Sequence, residues 1–238
     1  MRLPIDEGHS CTRLDRLLVG EISTITGTTI LSGIAKRLVT GPIHLSFTGF
    51  QGDRQADLKH HGGPEKAVHH YPFEHYSKWR EIIGDIALLK LPGAFGENMS
   101  MQNFDEDHVA IGDVFSLGTA VLEVSQSRQP CWKLNARFDV RDFAWRVQVT
   151  GRCGWYYRVL REGLVASGDW LERIYRHSPE WTISRVVRTL YTDPYNYSEL
   201  SKMAALSRLS VNLKRYAECR LETRDIEDWS RRLYGHFE

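Results

Sequence analysis

The stretch Ser125-Gln126-Ser127-Arg128-Gln129-Pro130-Cys131-Trp132-Lys133-Leu134 sets a cysteine directly after a proline, with Arg128 before it and Lys133 behind it. Cations that close favour thiolate over thiol, and the thiolate is both nucleophile and soft-metal ligand. Pro130 fixes its own φ and biases Gln129 toward an extended conformation, which places the cysteine on a rigid turn at the end of a strand. The bland alternative is an inert buried cysteine; the flanking cations and the proline weigh against it. Two polar, glycine-rich stretches have the composition of binding loops. One runs from Gly49 to Asp57 and on through His60-His61-Gly62-Gly63-Pro64-Glu65-Lys66-Ala67, the other is Pro92-Gly93-Ala94-Phe95-Gly96-Glu97-Asn98-Met99. Gly62 and Gly63 permit φ > 0 and close backbone approach to a ligand. Glu97 and Asn98 pair a carboxylate with an amide, suited to the hydrogen-bonding edge of a heterocycle. A plain surface turn is the competing reading of the histidine loop.

The elements that must position these residues are short. Leu17–Ile22 reads as a strand, Gly33–Val39 as a second carrying Lys36 and Arg37, and the alternation of Ile43, Leu45 and Phe47 as a third, half-buried one. Short strands with turn signals between them predict a barrel or sandwich rather than βαβ units. Phe73, Tyr76, Trp79 and Ile82 recur at helical spacing from Pro72 to a Gly84 cap, a stripe that packs a core and implies no chemistry. Val114–Leu117 and Val121–Val124 form a hairpin about Gly118-Thr119, and this hairpin delivers the chain to Cys131. A helix is expected over Asp139–Val149. Closing strands follow at Gly154–Leu160 and Leu171–Tyr175, and the sixteen residues at the start of the chain read as loosely ordered. From Ser178 the texture is helical: Ile183, Val186, Val187 and Leu190 make one stripe, Ser198 and Ser210 are caps, and Ile226, Trp229 and Leu233 suggest a last short helix. The expected division is 1–177 and 178–238.

The chain has 238 residues, 42% apolar and 26% charged, with a formal net charge of +1. That is the composition of a soluble protein with one sizeable core, and it offers no electrostatic case for nucleic acid or anionic membrane as a partner. No stretch approaches a membrane span or a signal core. Cys11, Cys131, Cys153 and Cys219 are scattered, without a C-x-x-C pair, which argues against a thiolate zinc site and for a cytoplasmic setting.

Taken together, several pieces resemble the MOSC domain family and, within it, the YiiM type. They are Gly52-Asp53-Arg54-Gln55-Ala56-Asp57, His61-Gly62-Gly63-Pro64 with Lys66-Ala67, Tyr71 with His75-Tyr76, Ala94-Phe95-Gly96-Glu97-Asn98, Ile111-Gly112-Asp113, Arg128-x-Pro130-Cys131-x-Lys133-Leu134 and Gly154-Trp155-Tyr156. The likeness spans about residues 33–176, and the C-terminal helices resemble the three-helix domain that follows MOSC in that type. Ser127 departs from it, standing where proline precedes the arginine in the family pattern. The resemblance implies a mostly β, barrel-like domain with peripheral helices and a small C-terminal α-helical domain. It implies molybdenum-cofactor-dependent reduction of N-hydroxylated compounds, hydroxylaminopurine and related base analogues among them, as a detoxifying activity. Cys131 would ligate molybdenum, in keeping with a soft thiolate on a soft, high-valent centre. Lys36, Arg37, His61, Gly62, Gly63, Glu97, Asn98, Arg128 and Lys133 are the candidates to hold the phosphorylated pterin. His61 is the candidate proton donor. The implied partners are small N-hydroxylated substrates and a separate electron-donor protein, for a monomer or homodimer with neither nucleic acid nor membrane attached.

Rival readings differ in class. Cys131 could carry a persulfide as a sulfur carrier, or the protein could carry the molybdenum cofactor without turning anything over. A zinc hydrolase on His60, His61, His69 and His70 lacks the H-E-x-x-H spacing, and alternate histidines of a strand face opposite sides. A DNA-binding module built on the C-terminal helices lacks a basic footprint, since cations and carboxylates there nearly balance.

Overall fold

The strand Ala120–Ser127 carries the layout, because all of its residues but Val121 are buried. A strand buried along its length must be covered on both faces and paired on both edges. One edge takes Val114–Leu117 through the predicted hairpin, and the other takes Trp155–Arg161, both antiparallel. The computed structural model, which describes residues 11–235 without the side chains of residues 59 and 60, extends this ladder to nine strands. Their spatial order is Cys11–Arg13, Trp170–Tyr175, Val114–Leu117, Ala120–Ser127, Trp155–Arg161, Val68–Pro72, Met99–Met101, Arg16–Val19 and Arg37–Leu38. Among the described residues, only the pairing of Val68–Pro72 with Met99–Met101 is parallel. Gly163–Val165, Ile43–Ser46 and Gly49–Phe50 form a smaller sheet, and Ser23–Thr24 pairs with Leu31–Ser32.

The expected barrel is corrected here. The nine-stranded sheet ends at Cys11–Arg13 and Arg37–Leu38, two edges that do not pair, so it stays open, whereas a barrel requires them to close. The fold is sheet-dominated and mixed, with several helices and a C-terminal helical region. Gly33–Val39 is not one strand either: only Leu31–Ser32 and Arg37–Leu38 pair. Gly33 instead runs hard against another segment, where a Cβ would lie 1.9 Å from the Arg54 carbonyl oxygen. Of the opening segment read as loose, Cys11–Arg13 is an edge strand and the first ten residues lie outside the described ones.

The helix Glu74–Ile83 forms as its stripe predicts, with Tyr76 and Trp79 fully buried and the Gly84 N–H donating back to the Arg80 carbonyl. Ile82 turns out exposed. The helix expected over Asp139–Val149 starts later, as Phe143–Thr150, and an unexpected helix, Lys133–Phe138, precedes it; the break falls where Asp139 takes a left-handed φ of 53°. In the C-terminal part, Ile183–Val187 passes through a π turn at Arg188–Thr192. Tyr197–Ala204 is capped by Asn196 rather than Ser198, Val211–Thr223 by Ser210, and Ser230–Tyr234 comes last. Ile183, Val186, Val187 and Leu190 are buried, and with Met203, Leu213 and Leu233 they join the same apolar core as the sheet. Among the described residues no helix is long and apolar enough to cross a membrane.

Candidate functional site

The central strand stops at Ser127, and the Arg128 N–H is held by the Gly154 carbonyl at 3.0 Å. Gly154 has to be glycine: its φ is 70°, and a Cβ there would meet the His70 carbonyl oxygen at 2.3 Å. The chain then turns through Pro130 and Cys131 into Lys133–Phe138, with Leu134 N–H bonded to the Cys131 carbonyl at 2.9 Å. Cys131 is 9% exposed, on the floor of a cleft. Its Sγ lies 3.3 Å from Nε2 of His61. His61 closes the helical turn Leu58–His61, its N–H bonded to the Asp57 carbonyl, and its Nδ1 lies 3.6 Å from the Asp57 carboxylate.

Burial pushes the Cys131 thiol up. The hydrogen bond and charge of His61, the Arg128 cation and the Lys133 backbone N–H overcome that and bring its pKa from 9.0 to about 7. Near neutrality the thiolate is therefore well populated. The cation on its C-terminal side acts through its main chain, while Lys133 Nζ reaches across the cleft to the Leu31 carbonyl at 3.2 Å.

The cleft is open to solvent at its mouth, and the space within it is about 70 Å³. Lys36, His61, Asn98, Arg128, Cys131 and Lys133 line it, so the structure brings together six of the residues singled out in the sequence. Arg128 is 5% exposed, and its Nη1 is buried with no hydrogen-bond partner. Nε2 of His69, which also lines the cleft, is likewise buried and unpartnered. Burial, with the Arg128 cation beside it, holds the His69 pKa well below 6.5 while the Gly96 carbonyl takes the ring's other proton. Buried donors and acceptors are seldom left unmatched, and in a cleft water or a ligand supplies the partner. Successive histidines of Val68–Pro72 diverge: His69 lines the cleft, whereas His70 meets Tyr157 Oη at 3.0 Å, and burial brings its pKa down to about 3.

Four named residues do not line the cleft. Glu97 is fully buried and its carboxylate is consumed in holding its own loop: Gly93 N–H at 2.6 Å, Phe95 N–H at 3.0 Å and the Tyr76 hydroxyl. It shapes the loop rather than presenting an edge to a heterocycle. Arg37 is exposed on the edge strand. Gly62 and Gly63 follow His61 in the chain without lining the cleft; Gly63 has the anticipated positive φ, 93°. Asn98 does line the cleft, but its amide is spent on the Asp53 carboxylate at 3.0 Å, the Leu18 carbonyl and the His69 N–H. Asp53 is the organiser here. It pairs with Lys36, accepts from Gly20 N–H at 2.7 Å and from Gln55 Nε2 at 2.9 Å, and so ties the strand, both loops and the cation together. Sequence reasoning left Asp53, Lys66, His69 and Tyr156 out of the site. Asp53, Lys66 and Tyr156 stand within the quoted motifs, whereas His69 figures only in the zinc reading. Burial lowers the Lys66 pKa, partly offset by the charges of Asp57 and Cys131. Phe95, which could be taken for a lid, is 1% exposed and stacks on Tyr71 at 4.0 Å. Among the described residues no three His, Cys, Asp or Glu side chains converge to hold a metal ion.

The MOSC domain profile matches residues 57–172, and that of the YiiM-like, 3-alpha helix domain matches residues 181–224. The chain is 39% identical over 204 residues to Protein YiiM of Escherichia coli, covering 86% of this chain and 91% of that one. A Gibberella moniliformis protein named Reductase is 41% identical over 165 residues, 69% of this chain but 29% of that one. The crystal structure of YiiM from Escherichia coli superposes with a TM-score of 0.79 at 33% identity, covering 94% of this chain and 100% of that one. A long match at that identity to a protein of the same two-part make-up carries the assignment: this chain belongs to the MOSC domain family, in the YiiM type that adds a three-helix domain.

Proposed function

We propose that the protein is a molybdenum-cofactor-dependent reductase of N-hydroxylated compounds, hydroxylaminopurine and related base analogues among them, with a detoxifying role. The observation that carries the reading is the thiolate-prone Cys131 on the cleft floor, beside His61 and beneath the unpartnered Arg128 Nη1 and His69 Nε2. The residues present fit such a group. A single soft sulfur suits a metal that arrives with its own sulfur ligands. Lys36, Lys66, Arg128 and Lys133 provide cations for a phosphate, and neutral His69 offers a lone pair to an N–H. When bound, the cofactor supplies the two electrons that break an N–O bond, turning R–NHOH and two protons into R–NH₂ and water. Arg128, with Lys36 braced by Asp53, would hold the anionic end, and the buried floor would limit water beside Cys131. His61 Nε2 can hand over a proton next to the sulfur. The electrons come from a separate donor protein.

The test compares protein made in cells able and unable to synthesise the cofactor. Molybdenum near one atom per chain in the first, absent after Cys131→Ser, together with donor-dependent reduction of hydroxylaminopurine, is the expected result. Molybdenum-free protein from competent cells that carries cyanide-labile sulfur on Cys131 would favour a sulfur carrier instead. Stoichiometric molybdenum without turnover of any hydroxylamine would favour a cofactor carrier.

A further inference from the structure

The two peptide planes that flank Cys131 are held by one residue far away in sequence. Nη1 of Arg232 donates to the Pro130 carbonyl at 2.7 Å, and the Arg232 carbonyl accepts the Trp132 N–H at 2.7 Å. The first bond orients the plane between Pro130 and Cys131, the second the plane between Cys131 and Trp132. Together they define φ and ψ of Cys131, and hence the direction in which its Cα–Cβ bond points. Arg232 is itself braced: Nη2 donates to Gln148 Oε1 at 2.6 Å, and the guanidinium sits 5.5 Å from the ring of Tyr191. The hydroxyl of Tyr191 accepts from Gln129 Nε2 at 2.9 Å. On the far side, Asn135 Nδ2 donates to the Leu233 carbonyl at 2.8 Å. Gln129, Pro130, Trp132 and Asn135 are thus all fastened to the helical region, while Cys131 and Lys133 between them face the cleft. The segment that does most of this, Trp229–Gly235, lies beyond the stretch matched by the three-helix profile, which ends at residue 224.

We propose that the C-terminal segment is a clamp on the cysteine turn, with Arg232 as a positioning residue that aims Cys131 into the cleft. The proposal rests on reading Cys131 as the reactive centre, but not on molybdenum or any substrate. A guanidinium is suited to the task because its planar fork bonds Pro130 and Gln148 at once; an ammonium would serve one of them well. A helix that merely added apolar contact would have no reason to direct a charged side chain at the carbonyl next to the cysteine.

The experiment measures modification of Cys131 in wild-type, Arg232→Met and Arg232→Lys proteins, resolved from Cys11, Cys153 and Cys219 by peptide mass spectrometry. Two neutral reagents are used, the small methyl methanethiosulfonate and a bulky aromatic maleimide, at one pH and at a temperature where all variants remain folded. Wild-type Cys131, on a cleft floor, should react far more slowly with the bulky reagent. Arg232→Met should raise the bulky-to-small rate ratio about tenfold or more, and Arg232→Lys should restore much of the difference. Exchange of the Trp132 amide hydrogen should quicken in parallel. A ratio within twofold of wild type in Arg232→Met, even with a lowered Tm, overturns the proposal and leaves Arg232 a stabiliser of the fold only. If Arg232→Met does not fold, Arg232→Gln, which cannot bond Pro130 and Gln148 with a charged fork, takes its place: a rise of threefold or more supports the clamp, and anything smaller overturns it. An inactive protein would sink the reductase reading while leaving this ratio interpretable.

Discussion

Cys131 owes its lowered pKa chiefly to an imidazole that no local pattern places beside it. Without His61 the remaining contributions are the Arg128 charge and one backbone N–H, set against full desolvation of a thiolate. Because the folded pKa is depressed, the thiolate predominates above about 7 and is lost as pH falls through that value. The alkylation rate of Cys131 should accordingly rise with a midpoint near pH 7 in the wild-type protein. In His61→Gln the midpoint should move up by roughly one unit or more, a tenfold loss of thiolate per unit at lower pH. Stopped-flow alkylation with iodoacetamide, read on the Cys131 peptide, measures it. An unchanged midpoint would mean that the His61 contact at 3.3 Å does not stabilise the anion.

The elements around the cleft divide into supports and walls. Trp79 on Glu74–Ile83 is fully buried, donates to Tyr71 Oη at 2.6 Å and packs edge-on against Phe143 at 4.9 Å. Its replacement by alanine should cost about 3–5 kcal/mol in urea-denaturation stability, the usual loss for a large buried aromatic. On the proposed reading, molybdenum content per folded chain should change little, since Trp79 is absent from the cleft lining. Gly33 is the opposite case. It lines the cleft, and a Cβ would sit 1.9 Å from the Arg54 carbonyl oxygen, backbone that cannot step aside cheaply. Gly33→Ala should cost roughly 1–3 kcal/mol by overpacking. It should also spread the wall that Asp53 ties to Lys36, so molybdenum retention should fall well below that of Trp79→Ala.

At the scale of the whole molecule, the cleft is open at its mouth, and Phe95 is locked in the aromatic core rather than free to close over a substrate. On the proposed reading, such a site would select the N–OH group near the cysteine and tolerate different bodies behind it. Given a chemical electron donor, several unrelated hydroxylamines should be reduced with kcat/KM values spread over no more than about 10–200-fold, the range that a few apolar contacts provide. One substrate exceeding the rest by about 10⁴-fold would require dedicated polar recognition and point to a specific metabolic role. The helical region shares a continuous apolar core with the sheet, so removing residues from 178 onward should expose that core and also release the cysteine turn.

What could be read from the sequence was whatever acts over a few residues. Pro130 stiffens the turn, Gly118-Thr119 bends the hairpin, the Tyr76–Trp79 stripe makes a helix, Gly84 stops it and Ser210 caps another, because backbone stiffness, periodicity and capping are local properties. The MOSC and YiiM resemblance was likewise legible, and six of the singled-out residues do meet in one cleft. Tertiary structure alone decided the rest. Whether a run of short strands closes into a barrel depends on which edges meet, and here Cys11–Arg13 and Arg37–Leu38 stay apart. Glu97 and Asn98 look like ligand-facing polar groups, yet their valences are taken up by backbone and by Asp53, because a buried loop must satisfy its own hydrogen bonds first. His61 reaches Cys131 across 70 residues and Arg232 reaches Pro130 across 102. Contacts at such separations are set by chain closure around a shared core, which no window of sequence contains.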